Sequence, residues 1–290
     1  MNLDASYRSL VETYNRAKNN PGIAPFESNQ VRDLTVINFI GDILIVIAVD
    51  SDGAIGEKPS DIVKVNGYVC GRFGTRVPLM EILACGAIPI AAFDPLAVEM
   101  DPYGMAIIDG VRDELRSAGL SEDFPLSGST EDNIPTVQTG MGVVIMGIVM
   151  KQDFRPGTSQ PGDHVYCIGI PKSGPDDMIT LDDPEIADAR TIEEVRRIEG
   201  VHDILPVGSK GIMYESTQLS ISAGLTFHNF QSKVDLLKSA GPSTCILIST
   251  TETAAKLIQK ITERPVNRIG SLVLDNEKQQ QYTLNRSGFL

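Results

Sequence analysis

Two aliphatic runs, residues 34–40 and 43–50, are separated only by Gly41-Asp42. Each is rich in Val and Ile, which suit the pleated surface of a sheet. Continuous apolar runs of this length imply strands buried on both faces. The chain must therefore build a sheet here and cover it. Further strands are predicted at 61–65, 88–93 and 142–150. Helices are predicted at 4–20, 76–84 and 103–118. Pro78 is tolerable only near the first turn of its helix, and Gly86 closes that helix. Ile107, Val111 and Leu115 share one face of the third helix, which Gly119 ends.

Residues 152–163 hold two prolines and two glycines and read as a linker. The pattern then restarts. Strands are predicted at 164–170 and 245–249, with closing strands at 272–274 and 281–284. Helices are predicted at 191–199, with a capping box Thr191…Glu194, at 211–223, and at 251–262. In the last of these Ala254, Leu257, Ile258 and Ile261 should face inward. Alternating strands and helices imply an α/β (α+β) fold, here in two halves, 1–153 and 160–290.

Composition restricts the function. With 25 Lys+Arg against 38 Asp+Glu in 290 residues, the net charge is −13. An acidic chain of this kind is not a nucleic-acid scaffold, nor a binder of anionic membranes. Tryptophan is absent and aromatics are 6%, so the core must be aliphatic. The four cysteines form no CxxC pair and sit in apolar or small-residue stretches, as buried thiols do in a reducing compartment. The opening MNLDASYRSL lacks the apolar core of a signal peptide. The apolar runs 43–49 and 143–150 are far shorter than the roughly 20 residues that span a bilayer. A cytoplasmic protein without membrane or nucleic-acid partners is expected.

Several common chemistries are missing. There is no GxxxxGK[ST], no HExxH and no GxSxG. Gly140-Met141-Gly142 opens a strand, not a helix, so it is not a dinucleotide turn. The three histidines are far apart in sequence and lack metal-ligand spacing.

Four segments carry chemistry in combination. The acids of Asp50-Ser51-Asp52-Gly53 follow a strand, and small residues there allow a phosphate or hard cation to approach; an Asp/Gly turn is the alternative. Glu81 is a lone acid among Leu79, Met80, Ile82 and Leu83. Burying it unpaired would be costly, unless it is the one solvated position of its helix. Gly128-Ser129-Thr130-Glu131-Asp132 is a polar loop offering oxygen ligands and amides, or simply an exposed acidic loop. Gly208-Ser209-Lys210 opens a helix, where free amides and a lysine suit an anion or form an ordinary cap. Taken together they describe a phosphate site where carboxylate-held Mg²⁺ would neutralise a nucleotide that net charge cannot attract.

On these residues the chain resembles the superfamily of aminoimidazole ribonucleotide synthetase, selenophosphate synthetase, thiamine-monophosphate kinase and the hydrogenase-maturation dehydratase. The matching segments are VDSDGAIG at Asp50, Glu81 with Gly86-Ala87 and Pro89, GSTEDNIP, GSKGI and AGPSTCILIS. The chain departs from the family in carrying Glu81 for a usual Asp and Thr130 where the loop acid falls. It also has Lys210 in place of an Asp, and only Asp33 where an Asp-rich motif is usual. These departures separate it from an ordinary thiamine-monophosphate kinase. VDSDGAIGEKPSDIVKV, GRFGTRVPLMEILACGA, GSTEDNIPTVQTGMGV and ILPVGSKGI look most like the α-ribazole kinases.

The resemblance implies an N-terminal ATP/metal-binding and dimerisation domain (1–153) packed against a C-terminal α/β domain (160–290), in a homodimer. The implied reaction is ATP γ-phosphoryl transfer to the 5′-hydroxyl of a ribonucleoside, α-ribazole. ATP and Mg²⁺ would be the cofactors. Asp33, Asp50, Glu81 and Glu131 would hold the metal. Asp50, Asp52, Gly53, Gly128, Ser129, Thr130 and Gly208 would bind the nucleotide. Lys210, Ser209 and Asp132 would act in catalysis. The alternatives are another ATP-dependent member of the superfamily, thiamine-monophosphate kinase-like or an amidine-forming synthetase, or a nucleotide-binding paralogue without catalysis.

Overall fold

The computed structural model describes residues 3–22 and 24–274; the strand expected at 281–284 lies outside the described residues. In chain order the elements are α1 (Leu3–Asn19), β1 (Ser28–Val31), β2 (Leu34–Ile40), β3 (Ile43–Gly53), β4 (Ile55–Gly56), β5 (Val63–Lys64), α2 (Gly67–Ala84), β6 (Ile88–Pro95), α3 (Met105–Ser117), β7 (Leu126–Ser129) and β8 (Gly140–Met150). There follow β9 (His164–Gly169), α4 (Ala189–Val195), β10 (Val201–Pro206), α5 (Gly211–Ser222), β11 (Leu225–Asn229), β12 (Cys245–Thr250), α6 (Glu252–Ile261) and β13 (Val266–Leu274).

The strands form two main sheets. One has the order β1-β2-β3-β8-β6-β7, the other β10-β12-β9-β13-β11, and β4 pairs with β5 alone. The mixed α/β class is as expected, yet within the two main sheets only β6–β7 is parallel. An antiparallel sheet can leave one face uncovered, and this corrects the reading of β3. Leu44, Val46 and Ala48 are buried on one face, whereas Val49 on the other is 60% exposed. By the same two-residue period, Asp50 and Asp52 lie on the covered face. That face packs against α2.

Helix α2 is longer than its sequence suggests. It begins at Gly67, where the Asn66 side chain accepts a hydrogen bond from Val69 N, and Pro78 lies deep inside it instead of in the first turn. Its glycines lower helix propensity but permit close packing, which overrides propensity here. A Cβ at Gly71 would stand 2.0 Å from Ile107 O, and one at Gly110 would stand 2.1 Å from Tyr68 O. Helices α2 and α3 thus meet backbone to backbone. Arg72 and Arg76 then converge on the buried Glu114 of α3, at 2.6 and 2.8 Å. Burial of that carboxylate is sustained by two guanidinium partners.

Other expectations shift by a few residues. Helix α4 starts at Ala189 and is capped by Asp188 with Thr191, not by Thr191 with Glu194, because Asp188 accepts from Thr191 N. On α6, Ala254 and Ile258 are buried, but Leu257 and Ile261 are each 47% exposed. Strands β1, β10 and β11 were not legible: their sequences SNQV, VHDILP and LTFHN mix polar and apolar residues. All four cysteines are buried free thiols. No described helix is long and apolar enough to cross a membrane.

The largest apolar cluster crosses the junction between the halves. Leu79, Met80 and Ile82 of α2 belong to it with Ile192, Val195 and Ile204 of the second half. Helix α2 therefore lies between the two sheets, and Glu81 rides on it.

Candidate nucleotide and phosphate site

A cavity of about 690 Å³ opens beside the end of β3. Its walls come from Asp50 and Asp52, from Val69 and Phe73 of α2, and from the irregular segment 173–179 of the second half. A smaller cavity shares Val77, Gly208 and Ser243 with it and is walled by Arg32, Asp33, Glu81 and Glu215. Four elements thus deliver acids to one place: the β1–β2 turn, β3, α2 and α5.

The electrostatics of these acids are unfavourable as they stand. Burial pushes the Glu81 carboxyl up to about 8, and Asp33, Asp50 and Glu215 add to the rise. Its Oε2 is enclosed and has no hydrogen-bond partner. Burial raises Asp52 to about 6, helped by Asp50. Asp50 is itself raised, mainly by burial. Glu215 is raised to about 7 by burial and by Asp33, although the Gly208 amide, Lys210 and Arg32 pull the other way.

An all-carboxylate set with an orphaned buried oxygen fits a hard divalent cation. No three His, Cys, Asp or Glu side chains among the described residues form a ready cage. Mg²⁺ is characteristically held by one or two carboxylates plus substrate phosphates, so the arrangement suits it.

The shifts fix a pH dependence. Between its ordinary value of 4.5 and about 8, Glu81 holds a proton in the folded chain that it lacks unfolded. The folded state binds more protons there, so stability falls as pH rises through that window. Glu215 and Asp52 act in the same sense. Glu99, lowered to about 2 chiefly by its bond from Lys58, acts only below 4.5. The melting midpoint without divalent cations should therefore fall as pH climbs from 4.5 towards 8. Added Mg²⁺ and nucleotide should raise it most at the alkaline end, where no proton must be displaced. Differential scanning fluorimetry across that range measures both; a Mg²⁺–nucleotide effect that shrinks with rising pH would contradict the assignment.

The predicted site residues divide into two groups. Asp50, Asp52, Ser209 and Gly208 line the large cavity, and Asp33 and Glu81 the small one. Lys210 is exposed and donates to the Tyr214 hydroxyl at 3.2 Å, within electrostatic reach of Asp33 and Glu215. Gly53 ends β3 opposite Gly140. The loop 128–132 lines neither cavity. Gly128 packs so tightly on Asp94 that a Cβ would come within 1.9 Å of its Oδ1. Ser129 ends β7, and the Thr130 hydroxyl donates to Asp132 at 2.6 Å. Asp132 also accepts from Met100 N, and Glu131 from Asn133 N, each at 2.9 Å. Glu131 is thus engaged locally, and Asp132 ties the loop to Met100.

Glu215 and the segment 173–179 were not singled out from the sequence. The available signal for Glu215 was an acid in the second turn of a helix opened by Gly-Ser-Lys-Gly. Nothing in PKSGPDDMI distinguishes a cavity wall from a surface loop.

No protein-family model matches the chain, and no curated protein sequence matches it. Solved structures do match. T. maritima PurL complexed with AMPPCP aligns with a TM-score of 0.57 at 18% identity, over 82% of this chain and 42% of that one. This chain thus spans less than half of the PurL chain. The hydrogenase maturation protein HypE in complex with ATP aligns at 0.56 and 13% identity, over 80% and 78% of the two chains. Thiamine-monophosphate kinase from Stenotrophomonas maltophilia aligns at 0.56 and 14% identity, over 92% and 94%. At such identities the likeness is one of architecture: the chain has the aminoimidazole ribonucleotide synthetase-like fold that these proteins share.

Proposed function

We propose that this protein is an ATP-dependent kinase that transfers the γ-phosphoryl group to the 5′-hydroxyl of a ribonucleoside, with α-ribazole as the preferred acceptor. One observation carries the reading: Oε2 of Glu81 is enclosed and partnerless, in a small cavity that Glu81 lines with Asp33 and Glu215, adjoining the cavity of about 690 Å³ that Asp50 lines. PurL and HypE, which share the fold, are solved with AMPPCP and ATP. Residues 1–153 would supply Asp33, Asp50 and Glu81, and 160–290 would close the cavity and add Glu215.

Asp33, Asp50 and Glu81 would hold Mg²⁺, which when bound neutralises phosphate oxygens. Gly208 and Ser209 present backbone and hydroxyl groups to the nucleotide, and Lys210 adds positive charge near the transferring group. The acceptor oxygen bonds to the γ-phosphorus, its bond to the β-phosphate oxygen breaks, and the hydroxyl proton leaves to solvent or to a nearby carboxylate. Positioning and charge stabilisation carry most of such a reaction.

The cavity lining also bears on the acceptor. It contains Asp50, Asp52, Asp176 and Asp177 against Lys64 alone, with no arginine or histidine. A substrate with its own phosphate would find little to hold it, whereas an uncharged nucleoside fits. The open face of the first sheet supports a homodimer. Ile45, Ile148 and Ile88 align across three strands there, as do Val49, Val144 and Phe93. Two copies pairing these faces would cover them.

The test is ADP release from Mg²⁺-ATP with α-ribazole, thiamine monophosphate or formylglycinamidine ribonucleotide as acceptor. Release with α-ribazole alone, with a product heavier by one phosphate, is expected. Release with another acceptor would reassign the substrate. Nucleotide binding without release on any of them would favour the non-catalytic alternative.

A further inference from the structure

Arg32 occupies an uncommon backbone position. Its φ is +54°, a left-handed conformation that residues with a Cβ rarely adopt. It sits in the turn between β1 and β2, and the next residue is Asp33. Its side chain reaches into the other half of the molecule. Nη1 donates to Asp203 Oδ1 at 3.1 Å and Nη2 to Oδ2 at 2.5 Å. Nη2 also donates to the Ser222 hydroxyl at 2.6 Å. Asp203, on β10, is fully buried, and it accepts further bonds from Gly157 N and Ile204 N, each at 2.9 Å. A two-pronged guanidinium–carboxylate pair fixes direction as well as distance.

We propose that Arg32 is a positioning residue: clamped to Asp203, it fixes the β1–β2 turn against the second half and so holds Asp33 among Asp50, Glu81 and Glu215. The inference rests on the proposed function, since it assigns Asp33 to a divalent cation and its nucleotide. It adds that the N-terminal acids reach their working arrangement through a partner in the other half. Arg32 borders the small cavity, but its guanidinium is committed to Asp203 and Ser222.

The experiment is calorimetric titration of Mg²⁺ with AMPPCP into the full chain, well below the melting temperature. The variant is R32G/D203N. Glycine adopts a φ of +54° without strain, and asparagine leaves no buried charge unpaired and keeps one oxygen for either the Gly157 or the Ile204 amide, which bond to different oxygens of Asp203. The double variant should fold, shown by circular dichroism and a cooperative melt. Its apparent affinity for Mg²⁺-AMPPCP should fall about tenfold or more, as for other residues that orient metal ligands. Excess Mg²⁺ should restore binding, which a purely structural role would not predict. The variant R32K keeps the charge but loses the fork, so an intermediate loss is expected; it carries the test if the double variant fails to fold. Wild-type protein that binds no Mg²⁺-AMPPCP would sink the functional reading, and the positioning role with it. Wild-type binding matched by the folded double variant, or by R32K in its place, would overturn the positioning role alone.

Discussion

Asp50→Asn should lower ATP turnover on the order of 10³-fold while leaving the fold intact, the loss expected when a carboxylate holding the Mg²⁺ clamp on the transferring phosphoryl group is removed. The substitution nearly preserves shape. Burial and Asp33 both raise the Asp50 carboxyl, so the negative charge is unfavourable there and its removal should hold or raise the melting midpoint. That separates the outcome from a structural defect. ADP release measured beside thermal denaturation reads both effects. Turnover near the wild-type rate would remove Asp50 from the site, and unfolding would recast it as structural.

The second large effect concerns the scaffold. Gly71→Ala places a Cβ 2.0 Å from the Ile107 carbonyl oxygen, a distance that backbone on both sides must relieve by moving apart. Overpacking of this kind costs about 3 kcal/mol, offset only in part by the better helix propensity of alanine. The net loss of about 2 kcal/mol should drop the melting midpoint by roughly 4–8 °C. A change within 1 °C of wild type, again by calorimetry (about 0.3 kcal/mol or less on the same scale), would show that the two helices separate without penalty. Because α2 carries Glu81, the folded fraction should also bind nucleotide less well.

How much of this was readable in advance depended on periodicity. The β2–β3 hairpin and α3 announced themselves through runs and spacing. Helix α2 was half hidden, since Gly67, Gly71 and Gly74 look like breaks until the close approach of α3 is known. Strands β10 and β11 were invisible because His202, Asp203 and His228 interrupt them, and only pairing with distant strands makes them regular. For the site, Asp50 and Glu81 stood out as acids in apolar company. Glu215 did not, because its significance lies in facing Asp33 from another half of the chain. The loop 128–132 was the converse case: a polar segment of suitable chemistry whose groups are taken up by Thr130, Asn133 and Met100. Composition reports residue types, and only the tertiary path decides which of them meet.

The continuous apolar cluster around α2 has a dynamic consequence. Prising the halves apart like a clamshell would bring Met80, Ile82, Ile192 and Ile204, all fully or almost fully buried, into contact with water. Each such side chain costs about 1.5–3 kcal/mol to expose. Wide hinge-bending is therefore a poor route for ligands to enter or leave. The irregular segment 173–179 has no sheet or helix to surrender and forms one wall of the cavity. A displacement of that wall would open the cavity with the two sheets still docked.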